Sequence, residues 1–215
     1  MGISTFVEGY KHFKENMFPL HEREFIKLIN QGQQPKTLFI SCSDSRIVPS
    51  LLFNEKPGDF FNIRNVGNIV PPYAKESQFP ETTAAIEFAI KLLHVQDIIV
   101  CGHKDCGACL NLYKDLSNME VDNLSNWLQL NNKCKELSLL SVNKQHSTED
   151  LLEVTERISI LCQIENLLSY PFVKTLVDAQ KLFIHGWYYK IDSGEIEYYD
   201  SAAYEFKPLE TFMQD

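Results

Sequence analysis

Short apolar runs alternate with helical patterns along most of this 215-residue chain. Near the N-terminus, apolar residues recur at helical spacing from Phe6 to Ile29. We expect Pro19 to divide this stretch into two helices, the second of which ends at Gly32. Five later segments have the length and composition of buried strands, namely 37–40, 59–63, 97–101, 181–189 and 195–199.

Helical patterns fall between these strands, at 81–93, 121–130 and 151–168, and Pro171 opens a further short helix. The polar segment 135–150 is expected to be an exposed connection. Apolar strands separated by helices indicate an α/β fold, with a mainly parallel β-sheet flanked by helices. The turn at Asp192–Gly194 adds an antiparallel C-terminal edge strand, and the N-terminal helices extend from the core. We expect one domain over 1–215, with a helical arm at 1–31 and an α/β core at 36–208.

Charge and composition exclude several classes of partner. The formal net charge is −9 and the hydrophobic content is 44%. An acidic chain has no basic footprint for nucleic acid, and it does not suit an anionic membrane surface. No apolar run has the length of a membrane span, and the N-terminus lacks the pattern of an export signal. We therefore expect a cytoplasmic protein, in which the six cysteines bind metal, act in catalysis or lie buried.

Candidate metal ligands stand at the ends of two predicted strands. Cys42 directly follows the first strand, while His103 and Cys106 follow the third. In parallel sheets, ligands collect at the carboxyl ends of strands, so these three residues converge if the two strands are neighbours. Two thiolates and an imidazole suit Zn²⁺, and three protein ligands leave one position open for catalysis.

A carboxylate and a guanidinium follow the first candidate ligand at short intervals, as Asp44 and Arg46. The carboxylate of Asp44 can accept a hydrogen bond from water on the metal. Arg46 can keep that carboxylate ionised and in position. This arrangement favours a catalytic site over a purely structural one.

These segments resemble those of a known family, the β-class carbonic anhydrases, in their plant-type branch. Its two signature segments are similar to CSDSR at 42–46 and GHKDCG at 102–107. The resemblance continues in RNVGNIVPPY at 64–73, in AAIEFA at 84–89 and in the hairpin that begins with HGW at 185–187. It covers roughly residues 30 to 208.

The resemblance implies one zinc ion per chain on Cys42, His103 and Cys106, with Asp44 and Arg46 as a catalytic pair beside it. It also implies a substrate pocket, in which a glutamine side chain and the backbone N–H groups near a glycine orient substrate against an apolar wall. The residues that match these positions are Gln33, Gly107, Phe61, Val66 and Phe88. Phe88 departs from the plant-type pattern, which often has tyrosine there.

The family makes dimers that are often paired into tetramers, so self-association is implied here. The pocket of the family lies at the dimer interface, so Gln33 and Phe61 are expected to serve the zinc of the partner. The implied reaction is the reversible hydration of carbon dioxide to bicarbonate and a proton by zinc-bound hydroxide. Because two thiolates cancel the charge of Zn²⁺, we expect activity to climb with pH through the neutral range.

Two alternatives remain open at this stage. The same site could hydrolyse a CO2 analogue such as carbon disulfide or carbonyl sulfide. Alternatively, Cys109 could complete a closed site of three cysteines and one histidine, which would make the chain a non-catalytic zinc module. In that case Asp44 and Arg46 would have no role.

Overall fold

The strands and helices are described for residues 2–76, 78–143 and 145–212, in a computed structural model. The strands are β1 Thr37–Cys42, β2 Phe60–Asn65, β3 Asp97–His103, β4 Phe183–Tyr189, β5 Ile196–Asp200 and β6 Glu205–Pro208. Within the described residues they form one sheet in the order β2–β1–β3–β4–β5–β6. Strands β1 to β4 pair in parallel, and β5 and β6 are antiparallel additions. This confirms the predicted fold class.

Helices flank this sheet, and most of them lie in the connections between its strands. They are α1 Ile3–His12, α2 Phe18–Gln31, α3 Pro49–Phe53, α4 Pro80–Glu87, α5 Gly107–Asn111, α6 Asp122–Leu128, α7 Asn132–Ser141, α8 Thr148–Leu168 and α9 Pro171–Asp178. Two π-helical stretches, Phe13–Met17 and Phe88–Leu92, continue α1 and α4, and 3₁₀ turns occupy Gln129–Asn131 and Leu209–Thr211. None of the helices in the described ranges is long and apolar enough to cross a membrane.

The chain changes direction along the sheet at β1. It runs from β1 outward to β2 and then returns to β3 on the other side of β1. This reversal opens a crevice at the carboxyl ends of β1 and β3, which is where α/β proteins bind their ligands. Five of the six residues of β1 are buried. Helices cover one face of the sheet, and on the other face Phe39 of β1 packs in a largely aromatic group. The core therefore fixes the two strands whose ends carry the candidate ligands.

The N-terminal arm is helical over almost its whole length. Pro19 lies in the first turn of α2 and not at a gap between helices, because a π-helical stretch joins α1 to α2. As predicted, α2 ends at Gly32, and this glycine has a φ of 75°. None of the described residues of α1 or α2 is buried, so the arm contributes no residue to the core of its own chain.

The segment 135–150 is mostly exposed at its described residues, as expected, but it is not simply a connection. Helix α7 occupies much of it and packs against α8. Its buried face consists of Cys134 and Ser138, and Gln163 Nε2 of α8 donates to Cys134 Sγ at 4.0 Å and to Asn131 Oδ1, just before α7, at 2.9 Å. The apolar pattern was weak because small and polar residues form this contact.

The edge strand β6 was not predicted. It has only four residues, two of them charged. It pairs antiparallel with β5, from Asp200 opposite Glu205 to Glu197 opposite Pro208. Edge strands this short carry little alternation of polar and apolar residues, so the sequence gives no clear signal for them.

Candidate metal centre

Three buried side chains meet at the crevice between β1 and β3. Cys42 is the last residue of β1, His103 is the last residue of β3, and Cys106 directly precedes α5. Their ligand atoms all lie within 4.8 Å of one another. The residues are 5%, 1% and 2% exposed. The strand pairing thus brings together the three residues that the sequence singled out.

The imidazole of His103 is oriented by the backbone next to it. Its Nδ1 lies 2.8 Å from the carbonyl oxygen of Lys104, which can only accept, so Nδ1 carries the hydrogen. The other ring nitrogen, Nε2, is buried and has no hydrogen-bond partner within the described part of the chain. A buried polar atom without a partner is costly unless something binds it. Nε2 is therefore available to a metal ion, in the arrangement that metal-binding histidines commonly show.

The two thiols share one buried site, and each affects the other. Hydrogen bonding with Cys106, together with burial, raises the pKa of the Cys42 thiol to about 12. The pKa of Cys106 is also raised, chiefly by its hydrogen bond with Cys109. A divalent cation would reverse both shifts, because metal binding requires thiolates and releases their protons. Two sulfurs and one imidazole nitrogen are a donor set that fits zinc.

Cys109 does not join this group of ligand atoms. It is buried in α5 beside Cys106. Among the described residues, however, the group that could hold a metal consists of Cys42, His103 and Cys106. Three protein ligands leave a tetrahedral ion one open position, as catalytic zinc sites require.

Asp44 and Arg46 form a bidentate ion pair next to the group. Asp44 Oδ1 accepts from Arg46 Nε at 2.9 Å, and Oδ2 accepts from Nη2 at 2.8 Å. These hydrogen bonds hold the pKa of Asp44 well below its ordinary value. Arg46 Nη2 also donates to the carbonyl of Asp105 at 2.9 Å, which joins the pair to the other ligand loop. A carboxylate is thus kept ionised and fixed beside the candidate ligands.

Arg64 of β2 holds the backbone of the first ligand loop. Its Nε and Nη2 each donate to the carbonyl of Cys42 at 3.2 Å, and Nη2 donates to the carbonyl of Asp44 at 2.9 Å. Hydrogen bonds from a charged donor are stronger than neutral ones. The loop that carries both a ligand and the carboxylate is therefore anchored to the neighbouring strand.

The peptide between Val66 and Gly67 lies against the sulfur of Cys42. Gly67 N–H donates to Cys42 Sγ at 3.3 Å, and Trp127 Nε1 donates to the carbonyl of Val66 at 2.7 Å. Gly67 has a φ of 81°, and a Cβ there would lie 2.7 Å from the Cβ of Ala108. The roles of Trp127 and Gly67 could not be predicted from the sequence, because their partners are distant along the chain.

The backbone of the second ligand loop meets a buried carboxylate. Cys106 N–H donates to Glu156 Oε1 at 2.8 Å, and Tyr188 O–H donates to Oε2 at 2.8 Å. Glu156 is 2% exposed, and burial raises its pKa to about 7. A role for Glu156 was not predicted from the sequence. A signal was present, since Glu156 shares the buried face of α8 with Ile160, Gln163 and Leu167.

Two of the expected pocket residues lie near the ligand group. Gly107 begins α5 directly after Cys106, and a Cβ at this glycine would meet open space. Val66 is 41% exposed. It lines an open cavity of 610 Å³ together with Ser43 and Trp127. The cavity therefore extends from the loop that carries Asp44.

The other three expected pocket residues lie away from the ligand group of their own chain. Phe61 pairs in register with Leu38, four residues before Cys42 on β1. At about 3.3 Å per residue this is roughly 13 Å from the ligand end. Phe88 stacks on Phe61 with ring centroids 5.7 Å apart. Gln33 is exposed and precedes β1.

Fold and site together define a class, the α/β proteins with a three-ligand metal centre at the reversal of a mainly parallel sheet. Comparison with known proteins identifies the family. The family model described as carbonic anhydrase matches residues 37–196. A carbonic anhydrase of Synechocystis sp. is 38% identical over 205 residues, which are 95% of this chain and 73% of the relative. A carbonic anhydrase of Helicobacter pylori strain J99 is 36% identical over 207 residues, which are 94% and 92% of the two chains.

Solved structures agree with the sequence relatives. The β-carbonic anhydrase CcaA superposes with a TM-score of 0.89 and 37% identity, covering 96% of this chain and 98% of its own. Tetrameric β-carbonic anhydrases from Sordaria macrospora include a chain with a TM-score of 0.73 and 28% identity, with 91% and 92% covered. The chain therefore belongs to the β-carbonic anhydrase family and is an enzyme of that family.

Proposed function

We propose that this protein is a zinc-dependent enzyme that reversibly hydrates carbon dioxide to bicarbonate and a proton. The observation that carries this proposal is the buried group of Cys42, His103 and Cys106, with its unpartnered imidazole nitrogen, beside the ion pair of Asp44 and Arg46. Membership of the carbonic anhydrase family supports the reaction.

Each residue has a defined task in this proposal. The two sulfurs and Nε2 of His103 would hold zinc, which supplies the Lewis acidity that makes water a nucleophile near neutral pH. Asp44 accepts a hydrogen bond from the attacking water, because its carboxylate stays ionised and retains free lone pairs. Arg46 fixes the direction of that carboxylate. The N–H groups at the start of α5, near Gly107, orient substrate, and Val66 contributes to the apolar wall.

A second copy of the chain completes the pocket in this proposal. Gln33, Phe61 and Phe88 lie away from the ligand group of their own chain, at or near the opposite end of β1. They would therefore act on the site of a partner in a dimer, either alone or paired into a tetramer. The tetrameric relatives from Sordaria macrospora support this assembly.

Stopped-flow CO2 hydration and metal analysis test the function together. The wild type is expected to hold about one zinc per chain and to hydrate CO2 rapidly. Cys42→Ala should lose the zinc and reduce hydration by more than the roughly 100-fold that changes around a metal site typically cause. Cys101→Ala is the matched control, because Cys101 is a buried cysteine of β3 that lies outside the ligand group.

Two results would contradict the proposal. If Cys42→Ala retained zinc and activity, Cys42 would not be a ligand. If the zinc-loaded wild type hydrolysed carbonyl sulfide or carbon disulfide but did not hydrate CO2 between about pH 7 and 9, the substrate would be a CO2 analogue. That pH range covers the region in which zinc-activated water typically ionises.

A further inference from the structure

One peptide unit in the second ligand loop is held from both sides by side chains that are distant in sequence. Its carbonyl, from Asp105, accepts from Arg46 Nη2 at 2.9 Å. Its N–H, from Cys106, donates to Glu156 Oε1 at 2.8 Å. Asp105 has a φ of 58°, in the left-handed region that non-glycine residues adopt at a cost. Tertiary contacts, and not local preference, therefore fix the peptide that precedes the candidate ligand.

The position of Glu156 is itself determined by close packing. Helix α8 approaches β3 at Gly102, where a Cβ would lie 2.7 Å from Ile160 Cγ1. The second carboxyl oxygen of Glu156 accepts from Tyr188 of β4. Both partners donate, so both oxygens act as acceptors. Because its carboxylate is held by Tyr188 and by close packing, Glu156 can fix the direction in which the Cys106 N–H points.

We propose that Glu156 is a positioning residue of the metal centre. It holds the Asp105–Cys106 peptide, and through this peptide it sets the direction in which Cys106 presents its sulfur to zinc. Arg46 donates to the carbonyl of the same peptide, so this peptide links the Asp44–Arg46 ion pair both to Glu156 and to the sulfur ligand. The inference rests on the zinc site of the proposed function, and it adds to that site a residue that touches neither metal nor substrate.

The test compares variants by metal release and by spectroscopy. Zinc-loaded protein is mixed with a chromogenic chelator, and the cobalt-substituted protein is examined for its thiolate-to-cobalt charge-transfer absorption. Glu156→Met keeps the volume but has no acceptor for the Cys106 N–H. It is expected to release zinc about 10- to 100-fold faster and to shift the cobalt absorption, as loss of an outer contact to a ligand usually does.

Conservative variants separate positioning from general stability. Glu156→Gln keeps an acceptor oxygen and should restore slow release and the wild-type absorption. Thr155→Val is the structural control, because it removes buried hydrogen bonds to Leu151 and Tyr113 from the same helix without contact to the ligand loop. If Glu156→Met fails to fold, Glu156→Asp replaces it, since this variant keeps the charge but is one methylene too short to reach Cys106.

Three results would overturn the inference. These are wild-type release and absorption in Glu156→Met, an equal loss in Glu156→Gln, or the same changes in Thr155→Val. Failure of the proposed function is seen separately. If the cobalt-substituted wild-type protein shows no thiolate-to-cobalt absorption, the cysteines do not bind the metal. That result contradicts the proposed zinc site itself, and not only the role of Glu156.

Discussion

The candidate metal centre and the N-terminal arm differ in how much of their side-chain surface is buried within one chain. At the ends of β1 and β3, the candidate ligands are almost fully buried, and the backbone around them is hydrogen-bonded to side chains from β2, α6 and α8. Along the arm, Ile3, Leu20 and Ile29 are 80%, 73% and 79% exposed. The candidate ligands are enclosed by their own chain, whereas the arm has apolar side chains that no described residue covers.

The difference separates two tasks of the molecule. Metal binding needs donors held within a few tenths of an ångström, and a packed core supplies that precision. An exposed apolar surface of this kind usually marks contact with another protein. In the proposed function, metal binding therefore belongs to the single chain, and self-association completes the substrate pocket.

The largest effect that bears on this comparison is expected from a charge on the arm. Ile29→Glu should weaken self-association about 10- to 100-fold, because burying such a side chain contributes about 1.5–3 kcal/mol. Hydration should fall with the fraction of dimer, while zinc content stays unchanged. Sedimentation velocity and stopped-flow assays at matched concentrations measure both.

Asn30→Glu is the control for this change, since it adds the same charge at the next position of α2, which is already polar and exposed. A monomeric Ile29→Glu protein with full activity would show that the site needs no second copy.

A medium effect is expected from a change at the packed end. Gly67→Ala places a Cβ 2.7 Å from that of Ala108, and Gly194→Ala is matched to it, because Gly194 has a similar φ of 79° with nothing within 4 Å. The first should reduce the free energy of unfolding by about 1–3 kcal/mol more than the second, which is the usual cost of overpacking. Chemical denaturation of both variants measures the difference. Equal losses would mean that the ligand loop is less tightly packed than the structure indicates.

The smallest effect concerns the ion pair at the edge of the site. Arg46 lowers the pKa of Asp44 below its ordinary 3.8, so the pair adds stability above that pH and loses it as the pH falls further. Arg46 is partly exposed, which limits the difference between the wild type and Asp44→Asn to about 1 kcal/mol or less at pH 7.

Denaturation of both proteins between pH 7 and acid, about pH 3, should show this difference shrinking below the ordinary pKa of the carboxyl. Asp178→Asn, in the exposed pair with Lys174, controls for the removal of a surface carboxylate. A difference that grew on acidification would have the wrong sign for a depressed pKa.

Much of the fold could be predicted from the local pattern of apolar and polar residues. The parallel core strands were predicted because they are continuous apolar runs, and the α/β class followed from their alternation with helices. Helix α7 and strand β6 were missed, because the buried face of α7 is small and polar and β6 is very short. Hydrophobic periodicity carries no information where the contact surface is not hydrophobic.

By itself, the sequence determined which chemical groups are available and which stay close whatever the fold. Asp44 and Arg46 are two residues apart, so their pairing is local. Cys42, His103 and Cys106 were predicted as candidate ligands because they follow the ends of two predicted strands. Only the tertiary structure decided what holds those ligands in place. Glu156 lies 50 residues from Cys106, and Trp127 lies 61 residues from Val66. Such contacts depend on the register of strands and on the close approach of helices, because packing, and not spacing along the chain, determines which distant groups meet.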